Sequence, residues 1–280
     1  MLFTWQFNAA ANNTIYISKA GSLNDQRMAY KLEILDAALL KTQKEYGAFK
    51  VIQIDLSAVP QRARFEVQSA TNINLMMAVT TKELEDNLLT IRIPIRRGIL
   101  NYRLLATSQA NLSDFSNING LDDLKALGVG LRSSWATTTL FKSHHFNVFE
   151  VSTLDGLFKM LSAGRIKYIP RGINEIYDEI ESRQETLNNL VVEPSLALYV
   201  KAPYYIFVSP QYPNLAKRIE LGLERMVKDG SHKAIFNKYY LEKIKKAAIK
   251  DKKVIVIDTP DLPPNTPLDR KELWFEYDVH

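Results

Sequence analysis

Apolar and polar residues alternate through "NTIYISKAG" (13–21), which predicts a first strand closed by a Gly21-Ser22-Leu23-Asn24 turn. The period then lengthens. Leu32, Leu35 and Leu39 recur at helical spacing, with Gly47 beyond the end. "AFKVIQIDL" (48–56) alternates as a second strand, "RARFEVQSA" (62–70) reads as a helix, and "INLMMAVT" (73–80) as a third strand. The order β-α-β-α-β predicts a mainly parallel sheet with helices on its faces.

A second unit of the same type begins near residue 103. "YRLLATS" and "ALGVGL" predict strands, and "SWATTTLFKS" a short helix. "TLDGLFKMLSAG" predicts an amphipathic helix with Leu154, Leu157, Phe158 and Leu161 on one face and Gly164 at its end. "IKYI" predicts a strand and "INEIYDEIES" a helix. From "APYYIFVSP" the pattern returns to strand. A long helix follows, with Leu215, Ile219, Leu223 and Met226 as its buried stripe, and a further helix covers "HKAIFNKYYLEKIKKAAI". The tail changes character, with a strand-like "KKVIVID" and then four prolines within "PDLPPNTP". Proline fixes φ and donates no hydrogen bond, so an extended arm over the surface is expected.

Composition narrows the classes. With 280 residues, 46% of them hydrophobic, the chain can bury a core without staples. The absence of cysteine excludes disulfides and thiolate metal sites. No apolar run approaches the roughly 18–20 residues that span a bilayer, so membrane insertion is not expected. "MLFTWQFNAAANN" lacks a charged start, yet its Ala-Ala-Ala-Asn resembles a cleavage site; it reads as a cloning remnant or the tail of a removed export signal. The net charge of +5 is densest in "KIKKAAIKDKK" (243–253), where no aromatic residues interleave to stack bases. A solvated helix face explains it, and no nucleic acid partner is expected.

Catalytic signatures are missing: no phosphate-binding loop, no nucleophile elbow, and a lone Gly128-x-Gly130 inside a strand. The histidines are 144, 145, 232 and 280, and the adjacent pair diverges on a helix, so no metal or cofactor is expected. Two stretches suggest binding instead. Lys167 and Arg171 have the same parity and point to one side of the strand "IKYIPRG". Arg132, Ser133 and Ser134 precede a helix start whose free N–H groups and partial positive charge suit an anion, with Trp135 as a flat wall. The same residues also suit a plain N-cap with a core tryptophan.

The ordered set "MAVTTKEL" and "IRIPI", "GVGLRSSWATTTL", "LFKMLSAGRIKYI", and the closing "APYYIFVSPQYPNLAKRIELGLERMVKDGSHKAIFNKYY" resembles the family 3 extracellular solute-binding proteins. These are the type II periplasmic binding fold that includes amino acid receptors of ABC transporters. The resemblance covers roughly residues 13 to 240. It implies an α/β fold of two lobes, each a mainly parallel sheet flanked by helices, with two crossing strands as hinge and ligand held between the lobes. Lobe 1 would be 1–102 with 205–280, carrying the proline-rich arm, and lobe 2 would be 103–204. It further implies a monomeric, periplasmic, non-catalytic protein partnered by a small-molecule solute and a membrane permease or sensor. An enzyme on the same fold, dehydratase-like, and a ligand-sensing module outside transport are the alternatives.

The departures carry most information. Aligned on Thr81, the family's carboxylate-binding arginine falls on Leu84. Its ammonium-binding aspartate falls on Gly172, preceded by Arg171. The expected ligand is therefore a small anionic or carboxylate-bearing solute. Its expected contacts are Arg132, Ser134, Trp135, Ala136, Thr137 and Arg171 on lobe 2, and Arg97, Thr81 and Tyr30 on lobe 1, with Arg96 beside Arg97 at the crossing. Pairing of these arginines with carboxylates such as Glu175 is the alternative use of their charge.

Overall fold

The computed structural model describes residues 13–19, 26–56 and 60–275. The Gly21–Asn24 turn, the first dozen residues and His280 lie outside them. The chain forms two compact units: Met1–Arg97, Tyr204–Tyr239 and Pro263–Trp274, and then Gly98–Pro203, Tyr240–Leu262 and Phe275–His280.

In chain order the first unit begins β1 Thr14–Ser18, α1 Gln26–Lys41, α2 Gln43–Tyr46, β2 Lys50–Ile54, α3 Pro60–Ser69, β3 Leu75–Val79, α4 Lys82–Asn87 and β4 Leu89–Ile91. The second contains β5 Tyr102–Ser108, α5 Leu121–Ala126, β6 Val129–Arg132, α6 Ala136–Ser143, β7 Val148–Val151, α7 Leu154–Ser162, β8 Ile169–Gly172, α8 Ile176–Glu181 and β9 Leu190–Val200. The chain then gives β10 Tyr204–Val208, α9 Pro213–Lys228, α10 Ser231–Ala247 and β11 Lys253–Ile257.

The first sheet has the order β2-β1-β3-β10-β4. β1, β2 and β3 run parallel, as the β-α-β-α-β order predicts, while β10 returns antiparallel to β3 and β4. Helices α1 and α9 bury one face of it. Leu215, Ile219, Leu223 and Met226, the predicted stripe, are all at most 1% exposed. The two helices touch at backbone distance: a Cβ on Gly222 would lie 2.1 Å from the Ala38 carbonyl oxygen, so only glycine fits. Arg218, on the same helix and fully buried, donates to Asn13 Oδ1 at 2.7 Å and the Gly47 carbonyl at 2.8 Å.

The second unit departs from the expected parallel sheet. Its order is β11-β9-β5-β8, with β5 antiparallel to both neighbours, and β6 and β7 form a separate parallel pair. The sequence reading missed β9 because "LVVEPSLALYV" carries Glu-Pro-Ser at its middle. Register slips there, and the Glu193 carboxylate accepts from Ser195 N at 3.0 Å. A bulge is where a strand tolerates proline.

The tail also departs from expectation. The resemblance implies that residues 240–262 belong to lobe 1, but β11 adds in parallel to β9 and so completes the second unit's sheet. Beyond the prolines the chain is no loose surface arm. Leu273 and Trp274 are 0% and 8% exposed within the first unit's core, and Trp274 Nε1 donates to the Pro267 carbonyl at 2.8 Å.

Candidate functional site

At the end of β8, Arg171 is only 6% exposed and fully engaged. Its Nε and Nη2 meet the two Glu179 oxygens at 2.7 and 2.6 Å, a bidentate pair, and Nη2 lies 3.0 Å from Glu175 Oε1. Glu175 also accepts from Gly172 N at 3.1 Å and sits 3.8 Å from Arg103. Arg171 and Arg103 are thus answered by two carboxylates, Glu175 and Glu179. The sequence suggests Glu175 as a partner but not Glu179, which makes the stronger contact. Lys167, the companion cation, is paired with Asp114 at 2.8 Å.

The structure brings Trp135 to Arg171, with the guanidinium 4.5 Å from the ring centroid. Trp135 is half-buried and takes the N-cap position of α6, where its side chain offers no cap. Ser133, Ser134 and Ala136 are exposed and Thr137 is half-buried. The hydroxyl that ties the turn is instead Thr138 Oγ1, donating to the Arg132 carbonyl at 2.7 Å. Arg132 ends β6 half-buried, and its Nε donates to the Ser152 carbonyl at 3.3 Å. No carboxylate pairs with Arg132 among the described residues, so its charge is available at the start of α6, whereas that of Arg171 is not.

On the first unit the predicted residues each make a structural contact. Thr81 caps α4, accepting from Leu84 N at 3.2 Å, and Leu84 packs into a small core with Val67, Leu88 and Phe207. Tyr30 is fully buried and donates its hydroxyl to the Ile95 carbonyl. Arg97 holds the tail, donating to the Glu272 and Trp274 carbonyls at 2.8 and 3.0 Å. It sits at φ 48° and Gly98 at φ 73°, so the chain turns sharply where it leaves the first unit.

A gathering around Tyr204 is not expected from the sequence. This residue opens β10 and pairs with Val79, the last residue of β3, so it marks the carboxyl end of the parallel strands. The Arg96 guanidinium lies 4.3 Å from its ring centroid and Lys31 Nζ 5.5 Å. Tyr204 donates its hydroxyl to the Met77 carbonyl at 2.7 Å. Burial acts to weaken its acidity, yet its pKa is lowered, because the charges of Lys31, Arg96 and Arg27 prevail. Arg27 and Lys31, one turn apart on α1, were the available signal in the sequence.

The remaining chemistry is sparse. Among the described residues no group of three or more His, Asp or Glu side chains could hold a metal, and no helix is long and apolar enough to cross a membrane. His144 Nε2 bonds the Asp258 carbonyl at 2.8 Å. His232 is fully buried with neither ring nitrogen partnered, and its pKa is lowered to about 4 by burial and then by Arg97.

Neither a family model nor a curated protein sequence matches the chain. Solved structures do. An ancestral arginine-binding protein bound to arginine aligns at 18% identity and a TM-score of 0.56, covering 81% of this chain and 98% of that one. The ancestral amino acid-binding protein that is a precursor of cyclohexadienyl dehydratase aligns at 12% and 0.58, over 82% and 96%. A histidine kinase sensor domain with similarity to periplasmic binding proteins aligns at 16% and 0.56, over 81% and 95%. The chain therefore has the type II periplasmic-binding-protein fold, that of amino acid receptors of ABC transporters. At such identities the likeness establishes fold alone.

Proposed function

We propose that this chain is a non-catalytic periplasmic binding protein for a small anionic or carboxylate-bearing solute, serving uptake or sensing beside a membrane permease or sensor. The observation that carries the reading is the meeting of cationic side chains at the carboxyl end of the first unit's parallel strands, where Lys31 and Arg96 flank Tyr204. Open α/β sheets take ligands at that end of their strands. Arg132 and the exposed start of α6 supply cationic and N–H groups at the corresponding strand end of the second unit.

Two details argue against a standard amino acid. The resemblance aligns Leu84 with the carboxylate-binding arginine, and Leu84 packs into the core. It aligns Gly172 with the ammonium-binding aspartate, and the carboxylates nearby are committed to Arg171. Catalysis has little to draw on, since His232, the histidine with a strongly shifted proton affinity, is sealed from solvent.

A thermal-shift panel of organic acids, amino acids and neutral or cationic solutes tests this, with native mass spectrometry of the bound species. Stabilisation by anions, with the ligand recovered chemically unchanged, is the expected result. Stabilisation by neutral or cationic solutes alone, or turnover of the ligand, would refute it.

A further inference from the structure

We infer that the end of the C-terminal tail is latched to the first unit by Arg97, and that the buried ring of His232 makes this latch sensitive to acid. The inference is independent of which solute the protein binds.

The tail is anchored at two points. Arg270 forms a bidentate pair with Glu224 on α9, at 2.6 and 2.9 Å. Beyond it, the turn Lys271–Leu273 and Trp274 are held by Arg97, through the Glu272 carbonyl at 2.8 Å and the Trp274 carbonyl at 3.0 Å. This second anchor lasts only while the guanidinium stays in place. The Arg97 guanidinium also lies 5.8 Å from the Phe236 ring centroid. His232 comes one turn before Phe236 on α10 and so shares its helix face. It is fully buried, and neither ring nitrogen has a partner. A proton added there creates N–H donors without an acceptor and a second cation beside Arg97. The Arg97 charge acts on the ring, and Arg97 is acted on in turn by Tyr30 from α1 and Glu272 from the tail. Lys233 and Lys238, on α10 itself, are exposed. Tyr30 is a neutral phenol in acid, so Glu272 is the competing group that acid also titrates. The ring's pKa is about 4 in the latched state against an ordinary 6.5. The latch is therefore fully present above pH 6.5 and fails as pH falls toward 4, because protonation favours the state in which Arg97 has withdrawn.

Hydrogen exchange of the full chain, read by mass spectrometry and corrected for the intrinsic effect of pH, tests the latch. The Leu273 and Trp274 amides bond to the Arg270 and Lys271 carbonyls, so their protection reports the closed state. Between pH 6.5 and 4 that protection should fall on the order of a hundredfold, the linkage expected of one histidine shifted this far. Helix α9 should keep its protection over the same range. His232→Leu and His232→Gln remove the proton site, and either one, if only one folds, should keep the segment protected at pH 4. Glu272→Gln should open as the wild type does. Four results would overturn the inference. The wild-type segment stays protected at pH 4; the folded His232 variants open at the same pH as the wild type; α9 loses protection together with the tail; or Glu272→Gln abolishes the transition, which would assign it to that carboxylate.

Discussion

Removing the Arg171 guanidinium would strand Glu179, itself buried, without its bidentate partner. Breaking a buried pair from one side costs about 3–5 kcal/mol, mostly from the uncompensated charge left behind. Arg171→Ala should therefore lower the chemical-denaturation stability by about that amount, while Arg171→Met combined with Glu179→Leu recovers most of it. His232 supplies a second case. Its pKa is depressed to about 4 against an ordinary 6.5, because burial and then the Arg97 charge oppose protonation. The fold therefore favours the neutral ring. Its contribution is fully present above pH 6.5 and disappears as pH falls toward 4, an effect on the order of 3 kcal/mol. His232→Leu should flatten the stability profile across that window in pH-dependent denaturation. The position of Arg171 on its strand was legible in the sequence. Its pairing with Glu179, eight residues on, was not, because that depends on how α8 turns back over the strand end.

Helix α9 shows what periodicity can and cannot reveal. Its buried stripe was readable from spacing, but the need for glycine at 222 arises only from the approach of Ala38 on another helix. Gly222→Ala gains about 1 kcal/mol of helix propensity. The added methyl group meets backbone, which cannot move aside as a side chain can, so overpacking should prevail. A net loss of about 1–3 kcal/mol is expected, read as a lowered melting temperature. Strand β9 is the opposite case. Its pairing with β5 and β11 overrode a local Glu-Pro-Ser that reads as a break. Local sequence marks an interruption without saying whether the strand resumes beyond it.

For the whole molecule, ligand binding should be visible as stability. A solute at about a hundred times its dissociation constant stabilises the folded chain by roughly 2.7 kcal/mol. At about 2–4 °C per kcal/mol for units of this size, anions in the thermal panel should raise the melting temperature by several degrees. The fold was legible because the alternation of strand and helix patterns survives in hydrophobic spacing alone. The candidate site was legible only in part. Arg132 and Trp135 lie on a turn whose sequence announces it, whereas Lys31 and Tyr204 are 173 positions apart and meet only once β10 has inserted beside β3.

That insertion, together with the buried tail, bears on how the protein is made. One hydrophobic cluster contains both Ile15 and Trp274, and the second unit's sheet is completed by β11. A polypeptide leaving the ribosome from its N-terminus can thus finish the second unit's sheet only after β11 has emerged, and the first unit's core only after Trp274 has. Until those residues emerge, neither core can close. Apolar segments left exposed in such partly folded chains are prone to aggregate.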